Sequence, residues 1–254
     1  MRMTDQTRKA EQFRALHIPG KPLVLLNIWD AGGAKAVAAG GAKAIATSSW
    51  SVANANGFSD GEHTPLTLAI ENLRRIVGAT DLPVTIDLES GYGDASEVVG
   101  ETIAAAIDAG AIGCNLEDSF PASGKLRDTV DQINRIRRAR QSADATNIPF
   151  FINARTDVFF QTSPEQHDKG VFVEVIERAR AYSEAGADGL FAPGLTDITL
   201  IARLAEGLRL PLNIMLGDAT PPVCTLAEHG VARVSFGPRP YLKVMMALEE
   251  AARE

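Results

Sequence analysis

Asp87 and Glu89 stand two residues apart in the segment Thr85-Ile86-Asp87-Leu88-Glu89-Ser90-Gly91-Tyr92-Gly93, at the end of a short apolar run that begins with Pro83 and Val84. Such a run reads as a buried strand, and residues two apart on a strand share a face. The two carboxylates therefore point the same way and repel each other unless a cation lies between them. A hard divalent ion is the usual solution; a strand end whose acids simply meet water is the plain alternative. Similar groups recur further along: Glu117 with Asp118, and Arg155 with Asp157. Arg155 offers a planar fork suited to a carboxylate or phosphonate, or a salt-bridge partner for one of the acids.

These residues need a frame that brings their strand ends together. Apolar runs alternate with helical patterns along the whole chain. Strands are predicted at 23–30, 42–49, 83–90, 112–118, 150–157, 189–194, 211–217 and 233–237, and a short helix at 5–16 precedes the first. Helical spacing is clear in Ser96–Ala109, where Val98, Val99, Ile103, Ala106 and Ile107 form one stripe. Gly110 and Gly186 follow helical patterns and fit left-handed helix ends. Eight such units without a linker predict a closed parallel (β/α)8 barrel, with residues 1–254 as one catalytic domain. An open doubly wound sheet is the rival, but no Gly-x-Gly-x-x-Gly follows the first strand.

In a barrel the site forms where the strands end. The candidates gathered there are Asp30, Ser48, Ser49, Asp87, Glu89, Glu117, Asp118, Arg155 and Asp157. Acids around one mouth suit magnesium, which keeps waters and takes one or two carboxylates directly. The connections 50–65 and 119–126 lie on the same face and read as mobile lids. No lysine ends a strand, which argues against a Schiff-base aldolase, and the four histidines fall in helices or loops, against a zinc hydrolase. His63, in the first lid, is a candidate for substrate contact. Lys125 and Arg127 either supply charge from the second lid or belong to a solvated loop.

Composition sets outer bounds. The 254 residues are 45% hydrophobic, enough for one large core, and the net charge of -7 argues against a nucleic-acid partner. Arg135, Arg137, Arg138 and Arg140 read as a solvated helix face. No apolar leader or run of about 18 apolar residues is present, so no membrane partner is expected. Cys114 and Cys224 read as packed, reduced thiols of a cytoplasmic protein.

Four ordered motifs resemble the isocitrate lyase/phosphoenolpyruvate mutase superfamily: Asp87 to Gly93, Glu117-Asp118, Asn153-Ala154-Arg155-Thr156-Asp157, and Ser48-Ser49-Trp50-Ser51 leading to Asp60-Gly61. The resemblance covers nearly the whole chain. It implies a barrel enzyme using magnesium (or manganese) on a small carboxylate, making or breaking bonds beside a pyruvyl group, and a homo-oligomer, dimer or tetramer, whose neighbours exchange the last helix. It also implies that Asp87 ligates the metal with Glu89 and Glu117 in support. By the same resemblance, Ser49, Trp50 and Ser51 are expected to cradle the substrate carboxylate, Arg155 to bind its second anion, and Asp60 and Glu117 to join Arg155 in catalysis.

Departures from the family pattern narrow the activity. Glu89 stands where Asp is more usual. The stretch Ser119-Phe120-Pro121-Ala122-Ser123-Gly124-Lys125 lacks the Lys-x-Cys-Gly-His of the isocitrate and methylisocitrate lyases. It also lacks the gating segment of the mutases. The expectation is a lyase or decarboxylase for a small 2-oxo or 2-hydroxy dicarboxylate, acting through an enolate. A phosphonomutase or phosphonopyruvate hydrolase is the alternative in this fold, and a barrel that only binds a small acid is the alternative outside enzymes.

Overall fold

The structure, a computed structural model, describes residues 4–254. Its strands are β1 (Leu23–Leu25), β2 (Asn27–Ile28), β3 (Ile45–Thr47), β4 (Val84–Asp87), β5 (Gly113–Glu117), β6 (Phe151–Arg155), β7 (Gly189–Phe191), β8 (Leu212–Met215) and β9 (Arg233–Ser235). All pair in parallel, in the order β1-β9-β8-β7-β6-β5-β4-β3-β2. β1 and β2 are two pieces of the first predicted strand, separated by Leu26. One piece pairs with the last strand and the other with the next, so the barrel closes through this break and eight staves remain. Asn27 stitches the seam: its Oδ1 accepts from Phe236 N (2.9 Å) and Gly237 N (3.0 Å), and its Nδ2 donates to Thr47 O (2.8 Å).

The helices are α1 (Asp5–Ala15), α2 (Ala31–Ala39), α3 (Ser49–Ala55), α4 (Leu66–Val77), α5 (Ser96–Asp108), α6 (Thr129–Asp144), α7 (Val158–Gln161), α8 (Lys169–Ala185), α9 (Ile198–Gly207), α10 (Val223–Glu228) and α11 (Arg239–Ala251). Eight of them follow the eight staves; α1, α3 and α7 are additions. α1 plugs the barrel floor with Phe13, edge-on to Phe151 at 5.5 Å. The predicted left-handed ends are present, with φ +98° at Gly110 and +108° at Gly186, a conformation glycine adopts without a Cβ clash.

Polar side chains fill part of the barrel interior. Asn153 Nδ2 donates to the Oδ1 atoms of Asn115 (2.9 Å) and Asn213 (3.2 Å). Arg233, only 1% exposed, reaches Asn115 Oδ1 at 3.3 Å from below. Among the described residues no carboxylate pairs with it, and burial pushes its guanidinium down to about 10.

Three expectations fail on burial. Arg135 is fully buried, donating to Ser90 O, Gly93 O (2.9 Å) and Asp94 O (2.5 Å), and Arg140 bonds Phe150 O and Asp188; only Arg137 of that cluster is exposed. Arg127 is no solvated loop residue either. It is 1% exposed, lies 4.0 Å from the Phe120 ring centroid and bridges Asp94 to Asp131. Cys114 is packed as expected, but Cys224 is exposed. Among the described residues no helix is long and apolar enough to cross a membrane.

Candidate active site

β5 and β6 end level, with Glu117 registered to Arg155, while β4 ends two residues lower, with Asp87 registered to Asn115. This register places Glu117 and Arg155 side by side at the C-terminal rim, with Asp87 one step deeper. Arg155 Nη1 pairs with Glu117 Oε2 at 2.7 Å, while its Nε and Nη2 donate to Asp157 at 2.6 and 3.1 Å. Asp157 is itself held by the Ser119 hydroxyl at 2.7 Å. The salt-bridge role foreseen for Arg155 is therefore real, and it leaves one N–H free on each terminal nitrogen. The guanidinium is fixed before any ligand arrives.

Asp87 carries looser bonds. Its Oδ2 accepts from Ser49 Oγ at 3.2 Å and Ser49 N at 3.4 Å, and its Oδ1 from Glu89 N at 3.4 Å. Glu89 is 4% exposed and turns its Oε2 to the amides of Gly61 (2.8 Å) and Glu62 (2.6 Å). Burial, then the charges of Asp60 and Asp87, push its carboxyl up to about 8. Asp60 is raised by burial and by Asp87, with Ser49 and Arg155 pulling the other way. Glu117 is raised by burial and by Asp157, Asp87 and Glu89, opposed by Arg155.

Asn27, Ser48, Ser49, Trp50, Asp60, Asp87, Asn115, Arg155, Phe160, Phe191, Met215, Ser235, Gly237 and Pro238 line one cavity of ≈ 260 Å³. Of the foreseen site residues, Asp60, Asp87, Arg155, Ser49 and Trp50 thus meet at one space. Glu89 and Glu117 are absent from that lining, Glu89 turned to Gly61 and Glu62 and Glu117 paired with Arg155. Ser51 is fully buried in the first turn of α3, its hydroxyl and amide both on Ser48 Oγ at 3.1 and 3.3 Å, so its side chain does not face the cavity.

Two acids placed at the mouth by sequence are used elsewhere. Asp30 caps α2, accepting from Gly33 N at 2.6 Å. Asp118 is fully buried and accepts from Thr156 Oγ1, Asp157 N, Tyr182 OH and Arg178 at 2.7–3.2 Å. His63 is exposed and bonds Asp60 O at 2.9 Å. The first foreseen lid begins as helix α3, and the second is drawn closed by a bridge between Ser119 and Leu126.

Among the described residues, no three Asp, Glu, His or Cys side chains are close enough together to enclose a metal ion. The donor set nevertheless fits magnesium. All candidates are hard oxygens, three carboxyls are pushed upward partly by one another's charge, and Asp87 holds only long hydrogen bonds. A divalent ion relieves that excess charge and, because magnesium retains waters, needs only one or two direct carboxylates.

With the fold and rim defined, comparison with known proteins gives the family. The family model for phosphoenolpyruvate phosphomutase matches residues 13–254. The 2-methylisocitrate lyase of Escherichia coli K12 is 31% identical over 207 residues, covering 79% of this chain and 67% of its own. The oxaloacetate decarboxylase of Pseudomonas savastanoi pv. phaseolicola is 27% identical, covering 95% and 83%. A crystal structure from Burkholderia cenocepacia J2315, provisionally described as a phosphonomutase, is 55% identical, with a TM-score of 0.96 and 98% of both chains covered. The chain belongs to the isocitrate lyase/phosphoenolpyruvate mutase superfamily. Its relatives are enzymes, lyases and mutases among them.

Proposed function

We propose that this protein is a magnesium-dependent lyase or decarboxylase that cleaves a carbon–carbon bond of a small 2-oxo or 2-hydroxy dicarboxylate through a pyruvyl enolate. The observation that carries this is the cavity itself, which Asp87, Asp60 and Arg155 line together with apolar Phe160, Phe191, Met215 and Pro238, the Arg155 guanidinium lying 5.6 and 5.9 Å from the Phe160 and Phe191 ring centroids. Asp87 would hold the metal, with Glu89 and Glu117 beside it. Bound there, magnesium (or manganese) would supply Lewis acidity to offset the charge that develops beside the 2-oxo group.

The chain's own residues do the rest. Arg155, braced by Glu117 and Asp157, binds the second carboxylate with its two free N–H groups and orients the bond to be broken. Ser49 and the amide of Trp50 receive the carboxylate next to the oxo group. Asp60, its carboxyl raised by burial and by Asp87, is placed to hold or release a proton at the departing fragment. The apolar wall admits an alkyl branch and excludes water.

Similarity to the Burkholderia protein favours a second reading, carbon–phosphorus chemistry. A phosphonate presents three oxygens, however, and Phe160, Phe191, Met215 and Pro238 give much of the cavity lining to carbon. Exposed Leu242, Val244, Met246 and Leu248 on α11, which buries none of its residues, support a homo-oligomer in which this helix covers a neighbour. Two unpaired cysteines support a cytoplasmic setting.

Product analysis with magnesium over oxaloacetate, 2-alkylmalates and phosphonopyruvate is the test. Pyruvate and carbon dioxide from oxaloacetate, or acetate and the matching 2-oxo acid from a 2-alkylmalate, support the proposal, and turnover of phosphonopyruvate alone moves the assignment to carbon–phosphorus chemistry. No turnover, with oxalate still bound calorimetrically, leaves a small-acid-binding barrel.

A further inference from the structure

We propose that Glu62 is a positioning residue for this reaction: with Glu89 it forms a reciprocal clasp that holds the Asp60 loop on the mouth. The inference rests on the site assigned above. Glu89 Oε2 accepts from the amides of Gly61 and Glu62 at 2.8 and 2.6 Å. In return, Glu62 Oε1 accepts from Ser90 Oγ at 2.6 Å and Tyr92 N at 2.8 Å. Each side chain thus crosses to the segment that carries the other, and all four bonds are short, at 2.6–2.8 Å.

The backbone is shaped for this exchange. Glu62, Glu89 and Tyr92 have φ of +61°, +52° and +61°, with Gly61 and Gly91 also left-handed at +92° and +105°. Non-glycine residues rarely adopt this region and keep it only where their surroundings impose it. Here the imposing contacts are the four clasp bonds. The Ser90–Asp94 turn is a fixed post, because buried Arg135 holds Ser90 O, Gly93 O and Asp94 O from the outer side. Glu62 ties the loop to that post, and Asp60, two residues earlier, comes to line the cavity.

The length of the side chain at position 89 is part of the device. An aspartate there, one methylene shorter, would not reach the Gly61 and Glu62 amides from the same backbone. The glutamate that departs from the family pattern is therefore matched to Glu62. Its role is as much to anchor the loop as to support the metal.

Glu62→Ala, Glu62→Gln, Glu89→Asp and the Glu62→Ala/Glu89→Asp pair provide the test. In hydrogen exchange, Glu62→Ala should deprotect segments 57–64 and 89–94, whereas Glu62→Gln, which keeps an acceptor oxygen, should not. Glu62→Ala should lower kcat by about ten- to a hundredfold through misplacement of Asp60, with magnesium affinity unchanged, and Glu62→Gln should restore most of it. The double variant should be no worse than its worse single member, because both break one clasp.

Wild-type exchange and kcat in Glu62→Ala would overturn the proposal, as would magnesium affinity falling in step with kcat. If the wild type turns over none of the substrates, the functional assignment fails, yet hydrogen exchange still decides the clasp. If Glu62→Ala does not fold, Glu62→Gln and Glu89→Asp carry the same comparison: normal exchange in Glu89→Asp would refute the matched pair.

Discussion

The two halves of the barrel mouth are built from different materials. Strands β4 to β6 end in Asp87, Glu117 and Arg155, with Glu89 and Asp157 just beyond. Arg155, Glu117 and Asp157 are tied together by ion pairs of 2.6–2.7 Å, and Asp87 beside them holds only long hydrogen bonds. β7 and β8 end instead in Phe191 and Met215, which with Phe160 and Pro238 give the cavity its apolar surface. Under the proposed function the difference separates two tasks. One half would set the charges that a bond cleavage needs, and the other would decide which carbon skeleton fits. Changes on the first half should alter turnover on every substrate, and changes on the second should redistribute activity among substrates.

The largest effect should come from Asp87. Asp87→Asn removes a carboxylate that lines the cavity and should lower kcat by on the order of a hundredfold or more, with magnesium affinity falling in calorimetry and the circular dichroism spectrum unchanged. Unchanged magnesium affinity would break the assignment of the acidic half.

Arg155 comes next. Arg155→Lys keeps the positive charge but loses the fork, and should weaken a dicarboxylate inhibitor by about 1.5–3 kcal/mol while oxalate loses far less. Equal weakening of both would mean that Arg155 does not contact the second carboxylate.

A smaller effect, seen as a pH profile, belongs to Glu89. Its carboxyl lies near 8 in the folded chain against 4.5 as the ordinary value. Between those limits the folded protein holds a proton that the unfolded chain has released, so stability falls as pH rises through this window and levels off above it. In metal-free protein the Tm should decline from pH 5 to 8, and Glu89→Gln should flatten that decline. Magnesium should raise the Tm most at the alkaline end, where no proton competes.

The most selective change is on the other half. Met215→Ala enlarges the apolar wall and should favour a substrate one methylene longer by ~1–3 kcal/mol in kcat/KM, with little change in the maximal rate on the best substrate. A uniform loss across all substrates would erase the division between the two halves.

Much of the frame was legible because a barrel repeats one local signal eight times: an apolar run, a polar end, a helical stripe. The rim residues Asp87, Glu117 and Arg155 could be found because strand ends in this topology must converge. Side chains that act across the chain were not. Glu62 bonds residues 28 and 30 positions away, and nothing in its neighbours announces it.

Other errors had a signal that could have been used. Asp30 precedes Ala31-Gly32-Gly33 at the start of a helical pattern, which is where a capping residue stands. Arg135 falls on the helical stripe of Gln132, Ile136, Ala139 and Ala143, all buried, whereas Arg137 falls off it. Reading the arginines as one cluster ignored the 3.6-residue period that sorts them. Asp118 shows the limit of such cues, since only the packing of α8 reveals that Arg178 and Tyr182 use up its oxygens.

The break in the first stave governs the order of assembly. β1 joins β9, and Asn27 bonds the backbone 209 and 210 positions ahead of it, whereas every other stave meets a neighbour next to it in sequence. As the chain emerges during synthesis, β2 through β8 can pair one after another, but β1 has no partner until β9, whose Arg233 registers to Leu23, has been made. Closing that seam carries the largest loop-closure entropy in the molecule and comes last. Until then the edges of β1 and β9 are open to other chains, and the short length of both pieces limits what can be added there.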